Sequence, residues 1–268
     1  MTKKRILYVS QEIAPFLPEN DLSKTSRFLP QAMNESGIDV RLFMPRFGCI
    51  NERRHQLHEV IRLSGMNLIV NDIDQPLIIK VASIPQARMQ VYFIDNEEYF
   101  KRKYTTEDKK GTFYHDNDER AIFFCRGVIE SVKKLGWSPD VIHCNGWMAS
   151  FLPMYLKKFY HDDPIFEKTK VVVSLYNQTF EGTLSDDLGD KLKFDGHSED
   201  DIKGFEKADY KKLTETAINY SDAVVKGSTE LDEDLLKLIE ESKLPTLEYA
   251  DGEYKEQYKP FYETLFEE

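Results

Sequence analysis

The segment RILYVSQEIAPFLPENDLSK, residues 5–24, decides how this chain begins to fold. Its first six residues form an apolar run of strand length, and residues 23–36 show the apolar spacing of a helix. A strand followed by a loop and a helix is a common place for a phosphate group to bind. The loop at residues 11–21, however, has no glycine and carries two prolines and three carboxylates. The segment therefore has the layout of a phosphate site without the usual chemistry.

Short apolar runs recur along the chain, and helical patterns separate several of them. Runs such as VVVSL (residues 171–175) are apolar or small at every position, as in a parallel strand covered on both faces. The alternation predicts an α/β fold with a doubly wound, mostly parallel, Rossmann-like sheet, and we interpret residues 1–268 as one domain. The predicted strands are residues 5–10, 39–44, 68–70, 77–83, 90–94, 141–144, 171–175 and 223–226; the predicted helices are residues 23–36, 118–135, 148–160, 209–220 and 229–242.

Three other regions depart from this alternation. Residues 68–94 contain three strands with little helix between them, which predicts an inserted β-hairpin or meander. Residues 53–59, 101–118 and 185–190 are rich in charge and are predicted to be exposed loops. The last stretch, GEYKEQYKPFYETLFEE, places aromatic side chains at helical spacing, which fits a terminal helix on the core or a surface for a partner.

Composition limits the classes of function. The net charge of −11 argues against nucleic acid, because binding to phosphates requires basic patches. There is no pattern of a signal peptide and no apolar run long enough to span a bilayer, so we expect a cytoplasmic protein without a membrane partner. The three cysteines are scattered, which favours reduced thiols in packing roles.

Three islands of sequence together resemble one family. They are YVSQEIAPFLPENDLSKTSRFLPQAMNESGIDVRLFMPRFGCI, then FIDNEEYFKRK with DNDERAIFFCRGVIESVKKLGWSPDVIHCNGWMASFLPMYLK, and then KVVVSLYNQTFEG. Their order and spacing resemble the N-terminal half of the bacterial glycogen synthase and starch synthase family, glycosyltransferase family 5. The resemblance implies the N-terminal domain of a GT-B enzyme, with ADP-glucose as donor, α-1,4-glucan as acceptor, and neither metal nor other cofactor. Nothing after Thr229 resembles the second GT-B domain, which we therefore expect to be absent.

The first island keeps part of the family's donor loop. Glu12 matches the family's glutamate, whereas Pro18 stands in place of its lysine, and Asn20 and Asp21 stand in place of its paired glycines. A departing diphosphate requires positive charge and open backbone N–H groups. Pro18 removes a donor, and Glu19 and Asp21 add negative charge, so the resemblance implies no secure nucleotide site and makes ADP-glucose a doubtful ligand.

Other side chains of this segment have simpler interpretations. Asp21 or Ser23 is predicted to cap the following helix. Lys24 and Arg27 lie in the first turns of that helix, where they fit either an anion contact or a solvated basic face.

The second island departs from the family's His-x-His-Asp-Trp-His-Thr motif. His143 and Trp147 match it, but Asn145, Gly146 and Met148 replace the second histidine, the aspartate and the third histidine. The resemblance places these residues near the acceptor. Trp147 fits either stacking on a sugar ring or packing in the core.

The third island replaces the family's histidine, which would contact the transferred glucose, with Tyr176. A phenol can hydrogen bond, so sugar binding can persist while stabilisation of the transition state is lost. Asn177 and Gly182 match the family, and no catalytic residue is secure. The sugar-binding candidates are Glu12, His143, Asn145, Trp147, Tyr176 and Asn177.

Residues 115–118 are the remaining candidate for a metal site. HDND, residues 115–118, has the composition of a metal cluster, but its position before a helix favours capping residues. No metal site is therefore predicted.

Three functional hypotheses remain open. The chain is a glycogen or starch synthase-like protein of glucan biosynthesis with little or no activity alone, or it is a noncatalytic glucan-binding or regulatory module. In the third, it is a half-enzyme completed by a separate chain with the second domain or by self-association. Whether it is a hexosyltransferase thus stays open, and α-glucan is the favoured ligand.

Overall fold

A computed structural model describes residues 3–266 of the chain. The strands are β1 (Arg5–Ser10), β2 (Asp39–Pro45), β3 (His58–Glu59), β4 (Met66–Val70), β5 (Ile73–Ile84), β6 (Met89–Asp95), β7 (Val141–Asn145), β8 (Lys170–Leu175), β9 (Ala223–Lys226) and β10 (Thr246–Leu247). The helices are α1 (Asp21–Glu35), α2 (Glu52–His55), α3 (Glu97–Phe100), α4 (Asn117–Leu135), α5 (Leu152–Phe159), α6 (Leu188–Phe194), α7 (Glu199–Ile202), α8 (Tyr210–Asn219), α9 (Glu233–Ser242) and α10 (Tyr254–Phe266).

The strands form a twisted sheet in the order β10-β9-β8-β7-β1-β2-β6-β5-β3, with β4 paired to β5. The pairs from β10 across to β6 are parallel, whereas β5 is antiparallel to β6, β3 and β4. The predicted Rossmann-like, mostly parallel sheet is therefore confirmed. The antiparallel β4–β5–β6 unit is the meander predicted within residues 68–94.

The central strands are buried because helices cover both faces of the sheet. Every residue of β7 is buried, as expected for a parallel strand between two helical layers. α1 and α10 lie together on one face, where His143 of β7 contacts Tyr262 of α10. The next residue along β7, Cys144, points to the opposite face, towards Cys125 of α4.

Some helix boundaries differ from the prediction. The predicted helix 148–160 is divided into a short 3-10 turn at Trp147–Ala149 and α5, because Pro153, which has no N–H to donate, sits in the first turn of a new helix. The predicted helix 229–242 begins only at Glu233.

Two of the segments predicted as exposed loops are partly regular. Residues 53–59 include most of the short helix α2 and the edge strand β3. Residues 185–190 contain the start of α6, whose Leu188 is fully buried. Buried leucines at helical spacing in a charged segment give a weak sequence signal, which explains the error.

The C-terminal aromatic segment packs on the core. Tyr258, Tyr262 and Leu265 of α10 are buried, which agrees with the core-packing interpretation, and α10 runs through Pro260 without a break. Glu267 and Glu268 lie outside the described residues. Within residues 3–266, every helix is either too short or too polar to cross a bilayer.

Candidate functional site: the carboxyl edge of the parallel strands

The parallel strands end together at one edge of the sheet, and the strand order changes direction between β1 and β7. Ligands of open α/β sheets bind outside the carboxyl ends of the strands at such a reversal. Most of the predicted site residues lie in the loops that leave β1, β7 and β8 at this edge, and the others lie in β7 or at the start of α1. Gln11 ties the two central loops together, because its backbone N–H donates to the Asn145 carbonyl at 2.9 Å.

The loop after β1 shields the N-terminus of α1 with its own side chains. Asn20 is the N-cap of α1; its side chain accepts from the Ser23 N–H at 2.8 Å, and the Ser23 hydroxyl accepts from the Asn20 N–H at 2.9 Å. The predicted cap was Asp21 or Ser23, so Asn20 corrects the position, and Ser23 is the other half of a capping box. Because side chains already satisfy the N–H groups of Asn20 and Ser23, these two donors are not open to a phosphate.

Glu12 lies against this cap. The Asn20 amide donates to Glu12 Oε2 at 2.6 Å, and burial raises the pKa of the Glu12 carboxyl above its usual value. Lys24, the nearest cation of the helix, pairs instead with Glu19 on the surface, with 3.8 Å between Nζ and Oε2. The predicted loss of a phosphate site is consistent with this arrangement.

A cavity of about 620 Å³ opens beside the loop. One wall is the loop after β1, and the other is the segment 103–108. Its charged side chains are three carboxylates, Glu12, Glu107 and Asp108, and a single lysine, Lys103. The rest of the lining is apolar or neutral: Phe16, Leu17, Pro18, Asn20, Cys49, Tyr104, Thr105 and Thr106. An acidic, hydroxyl-rich cavity of this kind disfavours an anion and suits a neutral polyol.

Gly146, at the position of the family's aspartate, is required by the backbone. Its φ is +86°, and a Cβ placed there would lie 2.7 Å from Gln11 Cβ and 2.8 Å from Leu22 Cδ1. A side chain at this position would therefore clash and be strained. The contact between the loops after β1 and β7 therefore requires a glycine at this position.

His143 lies inside the protein and does not reach the cavity. It is fully buried, with Nδ1 2.6 Å from the Tyr262 hydroxyl and Nε2 2.6 Å from Ser174 Oγ. Burial lowers its pKa to about 3, so the imidazole is neutral at pH 7.

Tyr176 also lies in the interior of the protein. It is 1% exposed, its hydroxyl donates to Asn145 Oδ1 at 2.9 Å, and burial raises its pKa. A Cβ at Gly227 would lie 2.5 Å from its ring, so the glycine makes room for the phenol. Asn177, by contrast, is exposed, and its N–H donates to Ser228 Oγ at 3.4 Å.

Trp147 is 5% exposed and lies under two aromatic rings. The centroid of Phe113 is 5.7 Å away and that of Phe180 is 5.1 Å away, while these two rings stack on each other at 4.8 Å. In this arrangement the indole packs in the interior, and its role in sugar binding stays a prediction.

The sequence predicted capping residues at positions 115–118 and an exposed loop before them, but it did not predict that the charged groups at the start of α4 are buried. Asp116, Asn117, Asp118 and Arg120 are buried. Asp116 is the N-cap residue but makes no capping hydrogen bond, and its carboxylate pairs instead with Arg102. The sequence signal for these groups is the run of charged residues in HDNDER, residues 115–120. Within residues 3–266, no cluster of three or more His, Cys, Asp or Glu side chains is placed to hold a metal ion.

Comparisons with known proteins agree with this architecture. The family described as starch synthase catalytic domain matches residues 5–245, and the chain belongs to this family. It is 39% identical to a glycogen synthase of Chlorobium luteolum over 194 residues, which cover 70% of this chain and 39% of that protein. It is 36% identical to a glycogen synthase of Chlorobium limicola over 232 residues, covering 82% of this chain and 47% of that protein.

A solved structure shares the fold. The catalytic domain of starch synthase IV from Arabidopsis thaliana, bound to ADP and acarbose, superposes with a TM-score of 0.73 at 15% identity, covering 92% of this chain and 51% of that one. This chain thus spans about half the length of the relatives that it matches. The expected relation to glycogen and starch synthases is confirmed.

Proposed function

We propose that this chain binds α-glucan at the cavity beside β1, as a noncatalytic glucan-binding protein of glucan metabolism in the cytoplasm, and that it does not transfer glucose from ADP-glucose by itself. Membership in the starch synthase family supports the substrate class. The observation that carries the proposal is the charge of the cavity, three carboxylates against one lysine, in a chain of net charge −11.

The argument against a nucleotide donor is electrostatic. Transfer from ADP-glucose places growing negative charge on a diphosphate, which catalysis must stabilise with cations and backbone donors. Here Asn20 and Ser23 occupy the helix N-terminus, and Glu12 faces the same loop. At an effective dielectric near 20, one like-charge contact at 4 Å costs on the order of 4 kcal/mol. A pseudoenzyme is therefore favoured over a transferase.

The argument for a sugar is its chemistry. Glucan hydroxyls hydrogen bond to carboxylates, amides and threonine hydroxyls, and sugar faces pack on aromatic rings. The cavity offers these groups in Glu12, Asn20, Thr105 and Thr106, together with Tyr104, which is 42% exposed.

The test compares binding with transfer. Electrophoresis of the purified chain through a gel containing glycogen should show retardation, while incubation with ADP-glucose and glycogen should transfer no glucose. Tyr104→Ala should weaken retardation several-fold. Phe28→Ala is the matched control, since Phe28 is 46% exposed and lies outside this cavity.

Each other outcome has a defined meaning. Transfer by the chain alone would overturn the pseudoenzyme proposal. Transfer that appears only with a separate chain bearing the second domain, or only at concentrations where the chain self-associates, would support the half-enzyme instead. If the chain shows neither retardation by glycogen nor transfer of glucose, the glucan proposal is wrong.

A further inference from the structure

Two loops border the carboxyl edge of the sheet and meet above Trp147. The first, residues 101–116, is called the cavity loop because its segment 103–108 lines the cavity. The second, residues 177–187, is called the Phe180 loop. They touch through Phe113 and Phe180, whose rings stack with an interplanar angle of 18°.

The cavity loop is held by the first turn of α4. Arg120 Nη2 donates to the Thr105 carbonyl at 2.6 Å, and Arg120 Nε donates to the Tyr99 carbonyl at 2.8 Å. The Asn117 amide donates to the Thr106 carbonyl at 2.8 Å. Arg120 is fully buried, and its contact with Thr105, together with that of Asn117 with Thr106, holds the backbone of the cavity loop.

The Phe180 loop is tied to the same turn through the helix that follows it. Lys191 of α6 is 5% exposed, and its Nζ lies 2.8 Å from Asp118 Oδ2, 3.0 Å from Glu119 Oε1 and 2.9 Å from Asp187 Oδ1. Burial alone would lower the pKa of Lys191, but the hydrogen bond to Asp118 and the neighbouring carboxylates raise it, so the ammonium stays charged. Asp118 is fully buried and its Oδ1 has no partner, so its charge depends on Lys191.

We propose that the first turn of α4 is a common positioning element for both loops, and that Lys191 is the positioning residue that ties the Phe180 loop to it. The ion pairs set the rotation of α6, and this rotation keeps Phe180 stacked on Phe113 above Trp147. The cavity loop and the Phe180 loop, which together cover Trp147, therefore move as one unit. Only the glucan arm of the test below rests on the proposed function.

The test uses Trp147 as a reporter. The chain has two tryptophans, so the Trp137→Phe background leaves Trp147 as the only indole. In that background, Lys191→Met should shift the emission of Trp147 to longer wavelength and raise its quenching by acrylamide several-fold. Retardation by glycogen should weaken in parallel.

The matched control lies on the same helix. Lys193→Met makes the same chemical change, but the Lys193 side chain is 55% exposed and pairs with Glu199 on the surface. It should leave the emission, the quenching and the retardation unchanged. Lys191→Arg keeps the charge and should retain most of the parent's behaviour.

A double variant separates positioning from folding. Lys191→Met alone leaves the buried Asp118 carboxylate without its cation. The double variant Asp118→Asn/Lys191→Met removes both charges and keeps side chains of similar shape. A folded double variant with exposed Trp147 supports the proposal, and one with the parent's Trp147 emission and quenching overturns it. If the parent is not retarded by glycogen, the proposed function fails, whereas the Trp147 measurements still decide the role of Lys191.

Discussion

The two sides of the carboxyl edge differ in how they use residues at family positions. Beneath α10, His143 and Tyr176 are buried and hydrogen bonded to other side chains, Tyr262 and Asn145. In the cavity, Glu12 faces an opening that is bordered by the cavity loop. The comparison teaches that two predicted site residues near one edge of a sheet can have opposite environments, one packed in the core and the other facing a cavity. Substitutions on either side of the edge test this division.

Tyr262→Ala should be the most damaging change, because it removes a fully buried aromatic ring from beneath the sheet. We expect a loss of about 3–5 kcal/mol in the free energy of unfolding, measured by urea denaturation. Lys259→Ala, on the exposed side of the same helix, should change it by less than about 0.5 kcal/mol. Equal effects of the two changes would contradict the assignment of α10 to the core.

Gly146→Ala tests whether the missing aspartate is excluded by packing. Gly37 is the control, because it also has a positive φ, +94°, but has nothing within 4 Å of a built Cβ. Gly37→Ala should cost about 1–3 kcal/mol from backbone strain. Gly146→Ala should cost about 1 kcal/mol more than Gly37→Ala, from overpacking against Gln11 and Leu22. Thermal unfolding of both variants measures the difference, and equal losses would show that the site tolerates a side chain.

The pH dependence of stability tests the burial of His143. Its pKa is about 3 in the folded protein against an ordinary 6.5, so folding favours the neutral form. Stability from this group is fully present above about pH 6.5 and falls as the pH drops towards 3. Between pH 7 and pH 5 the expected loss is roughly 2 kcal/mol.

Burial also lowers the pKa of His197, to about 4, so His197 contributes a loss of stability in the same direction as the pH falls. A variant of His143 separates the two contributions. His143→Gln should flatten the pH dependence of the urea midpoint relative to the parent. An unchanged slope would mean that His143 is hydrated or paired with a carboxylate in the folded protein.

Asn20→Ala should have the smallest effect. It removes the N-cap of α1 and should cost about 1 kcal/mol, whereas Asn20→Ser, which keeps a capping oxygen, should cost much less. Thermal unfolding checks the stability, and equilibrium dialysis with ADP checks the ligand. Because Glu12 and Asp21 stay in the loop, neither variant should gain binding of ADP. A clear gain would show that capping alone, and not charge, closes the loop.

The order of strands and helices was predictable because apolar periodicity is a local property. The bounds of β1 and β9 agree with the predicted residues, and the meander at residues 68–94 followed from three closely spaced apolar runs. The sequence also predicts a loop without phosphate chemistry, because Pro18, Asn20 and Asp21 occupy it, and this stays a prediction. Family membership was predictable from the three islands, because residue identities and their spacing can be read directly from the sequence.

The environment of each side chain was not predictable in this way. Asp118 and Lys191 lie 73 positions apart in the chain, and the sequence predicted Asp118 only as a capping residue. Their pairing exists because α6 packs on the start of α4, which local patterns do not encode. Likewise, nothing local showed that Tyr262 would meet His143, 119 residues earlier.

The sequence by itself thus determined the α/β fold and the family, because these depend on periodicity and on residue identity at neighbouring positions. Only the tertiary structure decided that Tyr176 and His143 face α10. The same holds for the contacts of the cavity loop and the Phe180 loop with the first turn of α4. Burial and hydrogen bonding are properties of the packed arrangement, in which residues distant in the chain exclude water from one another.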